Sequence, residues 1–316
     1  MTGERVATGR FAPSPTGLLH LGSALAALAA WASARSGGGR VVLRIDDLDG
    51  PRVVPGSADA QQHSLRRLGL DWDGPAVRQS ERGAAYDAAL VRLAASGRLF
   101  ACRRSRRDLA GLATAPHAAG PGTEDGPPYP AAWRTDPLTP AALAALRDAA
   151  VRFRVEPGVV RFTDRVQGEI ADDVSERVGD VVLKRRDGVV SYQLATVVDD
   201  AAAGVTEVVR GADLLASTAR QVRIAEALGV PVPAFAHVPL LVAASGEKLS
   251  KRDGALGVDA LLDAGVASEA LVGWLAGLLG QGDAARTPRA VAAEFDWARV
   301  PRGPVAVPDD LADRLR

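Results

Sequence analysis

A histidine lies among glycines in the string Arg10-Phe11-Ala12-Pro13-Ser14-Pro15-Thr16-Gly17-Leu18-Leu19-His20-Leu21-Gly22-Ser23. The string leads into an Ala/Leu-rich stretch with the look of a helix. A helix N-terminus offers free N–H groups and a partial positive charge to phosphate. Gly17 and Gly22 permit close backbone approach. His20 can donate a hydrogen bond to phosphate oxygens whose charge grows in a transition state. A second string, Lys248-Leu249-Ser250-Lys251-Arg252, follows Ala244-Ser245-Gly246-Glu247. Two lysines three apart on such a loop can grip a triphosphate as mobile point charges. Taken singly, each string has a plainer reading, a structural histidine and a solvated basic loop. A third group, Arg98, Arg103, Arg104, Arg106 and Arg107, suits either phosphate contact or a solvated face.

The first string needs a strand before it and a helix after it. Val6 to Phe11 is short, partly β-branched and followed by a Pro/Ser/Gly loop, which predicts a strand. Ser23 to Ala34 predicts a helix, stopped by Gly37, Gly38 and Gly39, and Val41 to Ile45 a second strand. Strand, helix, strand at this spacing is a βαβ unit with parallel strands. In such sheets ligands sit at the carboxyl ends of the strands. Helical spacing recurs at Ser57 to Leu68, Ala84 to Ser96, Leu215 to Leu228, Val258 to Ala264 and Ser268 to Leu279. Short strands are expected at Val151 to Phe153, Val159 to Phe162, Val181 to Lys184 and Gly204 to Val209, and Val189 to Val198 continues apolar. Ala101 to Leu138, rich in Arg and then in Pro and Gly, reads as an irregular insertion. The tail from Thr287 reads as a short charged helix-and-loop piece. No internal repeat is visible.

Hydrophobic residues make up 47% of the 316 and charged residues 24%, which argues against disorder. Thirty-eight basic residues balance 38 acidic ones, so a strongly basic nucleic-acid binder is not indicated, while a local basic patch stays open. One cysteine excludes an internal disulfide framework and any multi-cysteine metal site. No apolar run reaches the length of a membrane helix, and the N-terminus lacks the apolar core of a signal peptide. The expected compartment is the cytoplasm, without membrane association.

Together the two strings resemble the paired signatures of class I aminoacyl-tRNA synthetases. PSPTGLLHLGS resembles their His-Ile-Gly-His-type motif, and KLSKR their Lys-Met-Ser-Lys-Ser-type loop. RFAPSPTG, RIDDLD at Arg44 to Asp49, SYQLATVVDD at Ser191 to Asp200 and VVRGADLL at Val208 to Leu215 resemble the glutamyl branch. The resemblance runs in order from residue 5 to about 260. It implies an α/β fold, a Rossmann-like class I catalytic domain with an inserted subdomain and a short C-terminal helical piece. The expected division is 1–99 with 184–245 for nucleotide and glutamate, 100–183 for the insertion, and 246–316 for the lysine loop and helical region.

The resemblance also implies a reaction. The glutamate carboxylate attacks the α-phosphate of ATP, giving glutamyl-adenylate and pyrophosphate, with Mg²⁺ accompanying ATP. This chemistry asks for positioning and charge neutralisation more than a protein nucleophile. His20, Lys251 and Lys248 match the catalytic positions, and Gly17, His20, Gly22, Ser23 and Lys251 the ATP-binding ones. A dicarboxylate substrate calls for guanidinium partners with bidentate geometry. Arg10 and Arg210 match the glutamate-contacting arginines, Tyr192 the substrate tyrosine, and Phe11, Ala12, Pro13 and Ser14 line the same side. Asp46 stands where the family usually has Glu against the substrate ammonium, so the contact needs a closer backbone or a bridging water.

The stretch after Arg252 is too short for the helical anticodon-binding part of a full glutamyl-tRNA synthetase, so no such domain is expected. The short form resembles the glutamyl-Q tRNA(Asp) synthetase family. That family activates glutamate without tRNA and transfers it to queuosine in the anticodon of tRNA(Asp). Thr196, where full-length enzymes tend to place Asn, agrees with the short form. Expected partners are therefore glutamate, ATP and tRNA(Asp) carrying queuosine, and a monomer is expected. Zinc-holding members of the short family would place ligands at Cys102, Arg104, Tyr129 and Trp133. Only Cys102 and Tyr129 suit, since Arg stays protonated, so no zinc is expected. The insertion would be held by packing around Trp133, Tyr129 and Phe100, with Cys102 a small core residue. Three alternatives remain: a paralogue charging a tRNA 3′ end, a non-catalytic RNA- or nucleotide-binding paralogue, and a small nucleotidylyltransferase.

Overall fold

The computed structural model describes residues 6–105, 107–109, 127–243, 246 and 257–316. Strand β1 (Thr8–Phe11) leads through the His20 loop into helix α1 (Leu21–Ser36) and back to β2 (Arg40–Ile45). β1 and β2 are parallel, with Arg10 opposite Val42, so the expected βαβ unit is present. α1 is apolar on nearly every side because it is buried on nearly every side. Helix α2 (Ser57–Arg67) precedes the two-residue β3 (Val77–Arg78), which adds to β2 in parallel.

Helix α3 (Gly83–Ala95) is followed by β4 (Leu99–Cys102), a short helix α4 (Pro140–Ala145) and β5 (Ala150–Phe153). Next come β6 (Val160–Asp164), β7 (Gly168–Asp172), a one-turn α5 (Val174–Arg177) and β8 (Val181–Lys184). β4, β5 and β8 form an antiparallel sheet of their own. β6 and β7 form a hairpin; β7 reads as charged sequence because it is a polar strand at the sheet's edge.

Helix α6 (Tyr192–Ala202), strand β9 (Glu207–Gly211), helix α7 (Leu215–Leu228) and strand β10 (Ala234–Val238) follow, β9 and β10 completing the main sheet, and then β11 (Leu241–Ala243), which stands outside it. The apolar run at Val189 to Val198 turns out to be mostly helix, begun at Ser191 in extended conformation. A short apolar run does not by itself separate buried helix from buried strand. β10 is parallel to β9, and β6 parallel to β10. Thr206 N–H donates to Thr8 C=O at 2.9 Å, and Thr8 N–H to Thr206 Oγ1 at 2.9 Å. The strand sequence across the molecule is therefore β3-β2-β1, then β9-β10-β6-β7, with its direction of growth reversing between β1 and β9. That reversal is where open α/β sheets bind ligands. β6 lies within the 100–183 stretch yet joins this sheet.

Helices α8 (Val258–Asp263), α9 (Ser268–Leu278) and α10 (Pro288–Ala293), strand β12 (Val305–Val307) and helix α11 (Leu311–Arg314) follow. The tail is more than a charged helix-and-loop piece. β12 pairs in parallel with β11, and Trp297 Nε1 donates to Ser33 Oγ on α1 at 3.1 Å. Val291 and Val307 are buried in the same core as α1. A second core joins α3, β5, β8, α6 and α7. Among the described residues no helix is long and apolar enough to cross a membrane.

Candidate active site

The loop after β1 is pinned through its backbone. Pro13 C=O accepts from Asp46 N–H at 3.0 Å, and Gln61 Nε2 donates to Ser14 C=O at 3.1 Å and Gly17 C=O at 2.7 Å. Ser57 Oγ donates to Pro15 C=O at 2.6 Å. Gln61 and Ser57, both buried on α2, carry no recognisable motif and were not legible in sequence. Gly17 has φ of +143°, a conformation that disfavours any side chain. Phe11 and Ala12 are half-buried, Pro13 is buried and Ser14 exposed.

His20 is exposed and caps α1. Its Nδ1 accepts from Ser23 N–H at 3.1 Å, and Nε2 lies 2.9 Å from Ser23 Oγ. Gly22 packs beneath the ring: a Cβ there would sit 3.3 Å from Nδ1. His20, Gly22 and Ser23 thus share the positive end of a sixteen-residue helix. The backbone at His20 bridges Gly257, and Val258 N–H donates to Leu19 C=O at 3.0 Å. Lys248 and Lys251 lie outside the described residues.

Three guanidinium groups gather at the reversal between β1 and β9. Arg10, Arg44 and Arg210 are each about 95% buried. Arg10 Nη1 donates to Val209 C=O at 2.7 Å, and its Nε pairs with Asp200 Oδ2 at 3.4 Å. Arg44 Nη1 pairs with Asp200 Oδ1, and its Nε with Asp46 Oδ1 at 2.7 Å. Asp200 thus sits between two arginines. Burial alone would raise its pKa, but Arg44 and Arg10 hold it below the usual carboxylate range. Asp46, sequestered from water, is pushed upward despite Arg44. Arg44 is driven well above its ordinary value: burial opposes its charge, and Asp46 and Asp200 outweigh burial. For Arg10 burial dominates and the pKa is lowered. The structure therefore brings Asp46 into the arginine cluster, with both its oxygens facing Arg44.

Arg210 differs in kind. Its Nε donates to His237 Nε2 at 3.0 Å, and its Nη1 to Tyr192 Oη at 3.2 Å and Gln221 Oε1 at 2.8 Å. Its Nη2 donates to Thr218 Oγ1 at 2.8 Å. Every one of these acceptors is neutral when His237 is neutral. Among the described residues no carboxylate pairs with Arg210, and one N–H of the guanidinium has no protein acceptor. Arg10 and Tyr192 thus both lie near Arg210. His237, Thr218 and Gln221 were missed: AFAHV and STARQV carry no signature, and only the register of β9 and β10 brings His237 to Arg210, and only the packing of α7 brings Thr218 and Gln221.

In the insertion, Tyr129 packs tilted against Phe100 (centroids 5.8 Å apart) and edge-on to Trp133 (5.7 Å), and the Arg152 guanidinium covers it at 4.0 Å. Arg104 lies over Trp133 at 4.9 Å, and Tyr129 Oη donates to Trp133 C=O at 3.1 Å. Cys102 is buried beside them. The four positions expected for zinc in related chains thus hold a packed aromatic and cationic stack, and this donor set does not fit Zn²⁺. In the basic run, Arg98 pairs with Glu156 at 2.7 Å, Arg103, Arg104 and Arg107 are exposed, and Arg106 lies outside the described residues.

A buried, anion-seeking arginine at the sheet reversal and a phosphate-ready helix terminus after the first strand fit the catalytic domain of a class I synthetase, a ligase-type enzyme. Residues 5–287 match the family model of class I tRNA synthetases (E and Q), catalytic domain, and the chain belongs to that family. Curated relatives named Glutamyl-Q tRNA(Asp) synthetase are similar over most of their length. The one from Symbiobacterium thermophilum is 46% identical, over 97% of this chain and 98% of its own. The one from Geobacter sulfurreducens is 52% identical, over 80% and 77%. The fold matches the glutamate-tRNA synthetase of Elizabethkingia anophelis with TM-score 0.82 at 25% identity, over 98% of this chain and 70% of that one.

Proposed function

We propose that this enzyme activates glutamate with ATP in the absence of tRNA and transfers the glutamyl group to queuosine in the anticodon of tRNA(Asp). An α-carboxylate oxygen of glutamate forms a bond to the α-phosphorus of ATP, and the bond to the bridging oxygen breaks as pyrophosphate leaves. A hydroxyl of the queuosine cyclopentenediol then attacks the activated carbonyl carbon, loses its proton, and displaces AMP.

The observation that carries this reading is Arg210. A buried guanidinium held only by neutral acceptors is electrostatically unfinished, and a ligand carboxylate completes it. Arg10 and Arg44 have their charges answered by Asp200 and Asp46; Arg210 does not. The substrate's side-chain carboxylate belongs there, with Tyr192 alongside and Asp46 toward the ammonium. His20 and the N-terminus of α1 face the nucleotide phosphates, and Lys248 and Lys251 are assigned by their string. Mg²⁺ arrives with ATP, held chiefly by phosphate oxygens. The names of the curated relatives support tRNA(Asp) as acceptor. A monomer acting in the cytoplasm accords with the reading.

The decisive experiment incubates the protein with ATP, labelled glutamate and host RNA and maps the labelled nucleotide. Label on an anticodon queuosine is expected, with ATP–pyrophosphate exchange that needs glutamate but no tRNA. Label confined to a 3′-terminal ribose, and lost when that ribose is oxidised by periodate, overturns the acceptor assignment. No glutamate-dependent exchange overturns the activation step.

A further inference from the structure

Arg210 and His237 are register partners on β9 and β10, so their side chains leave the same face of the sheet. His237 is wholly buried. Its Nε2 receives Arg210 Nε–H at 3.0 Å and lies 3.2 Å from Thr218 Oγ1. An arginine Nε–H can only donate, so Nε2 acts as an acceptor and carries no proton. The ring proton then sits on Nδ1, which lies 2.6 Å from Asp164 Oδ2. Asp164 is itself fixed: its Oδ1 accepts the backbone N–H groups of Val166 (3.0 Å), Gln167 (2.9 Å) and His237 (3.1 Å).

We propose that His237, held as the Nδ1-protonated neutral ring by Asp164, is a positioning residue that aims the Arg210 guanidinium at the substrate's side-chain carboxylate. The inference rests on the reading of Arg210 as the glutamate-binding arginine. Asp164 sets which nitrogen bears the proton, and that choice leaves a lone pair where Arg210 needs an acceptor. A neutral acceptor orients the guanidinium without consuming its charge, which stays available to the ligand. A carboxylate in the same place would satisfy Arg210 and weaken the call for an anionic substrate.

The arrangement makes glutamate binding sensitive to acid. Protonated Nε2 would turn from acceptor to donor and set a second positive charge against Arg210. The charged groups facing the ring are Asp164 from β6, Arg210 from β9 and Arg10 from β1; α7 presents the neutral Thr218. From α6, Tyr192 and Asp200 engage Arg210 and Arg10 instead. Burial, reinforced by Arg210 and opposed by Asp164, keeps the imidazole pKa below its ordinary 6.5.

Asn and Gln separate the two halves of the device. His237→Asn can keep a donor toward Asp164 and loses the acceptor for Arg210; His237→Gln can place an amide oxygen near the site of Nε2. Glutamate-dependent ATP–pyrophosphate exchange is measured for the wild type and both variants across pH, with separate KM values for glutamate and ATP. In H237N the glutamate KM should rise by about 10-fold or more, the expected cost of misplacing one charge-assisted contact, with the ATP KM nearly unchanged. In H237Q much of that loss should be recovered. In the wild type the glutamate KM should climb with one-proton dependence as pH falls below 6.5, and H237N should lack this limb. An unchanged glutamate KM in a folded H237N, or a wild-type glutamate KM flat in acid while exchange persists, overturns the role of His237 and leaves that of Arg210 standing. Absence of glutamate-dependent exchange in the wild type overturns both.

Discussion

The backbone of Gly257 bridges that of His20, and Val258 N–H donates to Leu19 C=O at 3.0 Å. Gly257 follows closely on the string that holds Lys248 and Lys251. The chain after the lysines is therefore tied to the histidine at the start of α1, although the two strings are far apart in sequence. One pair of backbone contacts joins the first of the two motifs to the chain just beyond the second.

If both motifs act on the same phosphates, each should matter to adenylate formation. His20→Ala and Lys251→Ala should each lower ATP–pyrophosphate exchange by about 10²-fold, the effect of losing one donor to a developing charge. Exchange near the wild-type rate in either variant removes that residue from the mechanism.

Arg210→Gln keeps some hydrogen bonding and deletes the charge. The glutamate KM should rise by roughly 10- to 100-fold, as for loss of a charge-assisted pair, with the ATP KM much less affected. Steady-state exchange at varied glutamate checks this, and an unaltered glutamate requirement contradicts the assignment.

Asp200→Ala is expected to be costly to the fold as well as to activity. It leaves the buried Arg10 and Arg44 without their shared carboxylate, and stranding a buried charge costs about 3–5 kcal/mol. Urea denaturation followed by circular dichroism measures it. A loss below about 1 kcal/mol would mean that water reaches these arginines in solution.

Stability should also depend on pH through His237. Its folded pKa is lowered, so the unfolded chain binds the proton more tightly. The stabilisation is complete above the unfolded value of 6.5 and is lost as pH falls through the folded value. The wild-type urea midpoint should decline on acidification below 6.5, and less so in His237→Gln. Equal slopes for the two proteins would assign the decline to other groups.

The insertion should be indifferent to metal. Purified protein is expected to carry far less than one zinc per chain, and chelators should leave its melting temperature in place. Tyr129→Ala, which empties the aromatic stack, should destabilise by about 3–5 kcal/mol. One tightly held equivalent of zinc would show that the Cys102 region had been misread.

Much of this protein is legible in its sequence because the chemistry is concentrated in contiguous strings. Arg10 to Ser23 encodes a strand, a loop and a helix start in one stretch, and local backbone preferences suffice to place them. Tyr192 and Arg210 were accessible through flanking strings that resemble a known branch. The apolar run around Val189 to Val198 was ambiguous, since a short apolar run is compatible with either a buried helix segment or a strand. The tail's pairing with β11 left no trace, because parallel pairing between distant segments depends on contacts that no local window contains.

Residue type and local order determined by themselves that a histidine would lie between a strand end and a helix start, and that arginines would be at hand for an anion. Tertiary structure alone decided which arginine stays unanswered. Asp200 reaches Arg10 and Arg44 while Arg210 receives only neutral partners, and that division follows from the register of β9 with β10 and the docking of α6 and α7. Charge compensation depends on distances of a few ångströms between groups remote in the chain, and those distances exist only once the sheet has formed.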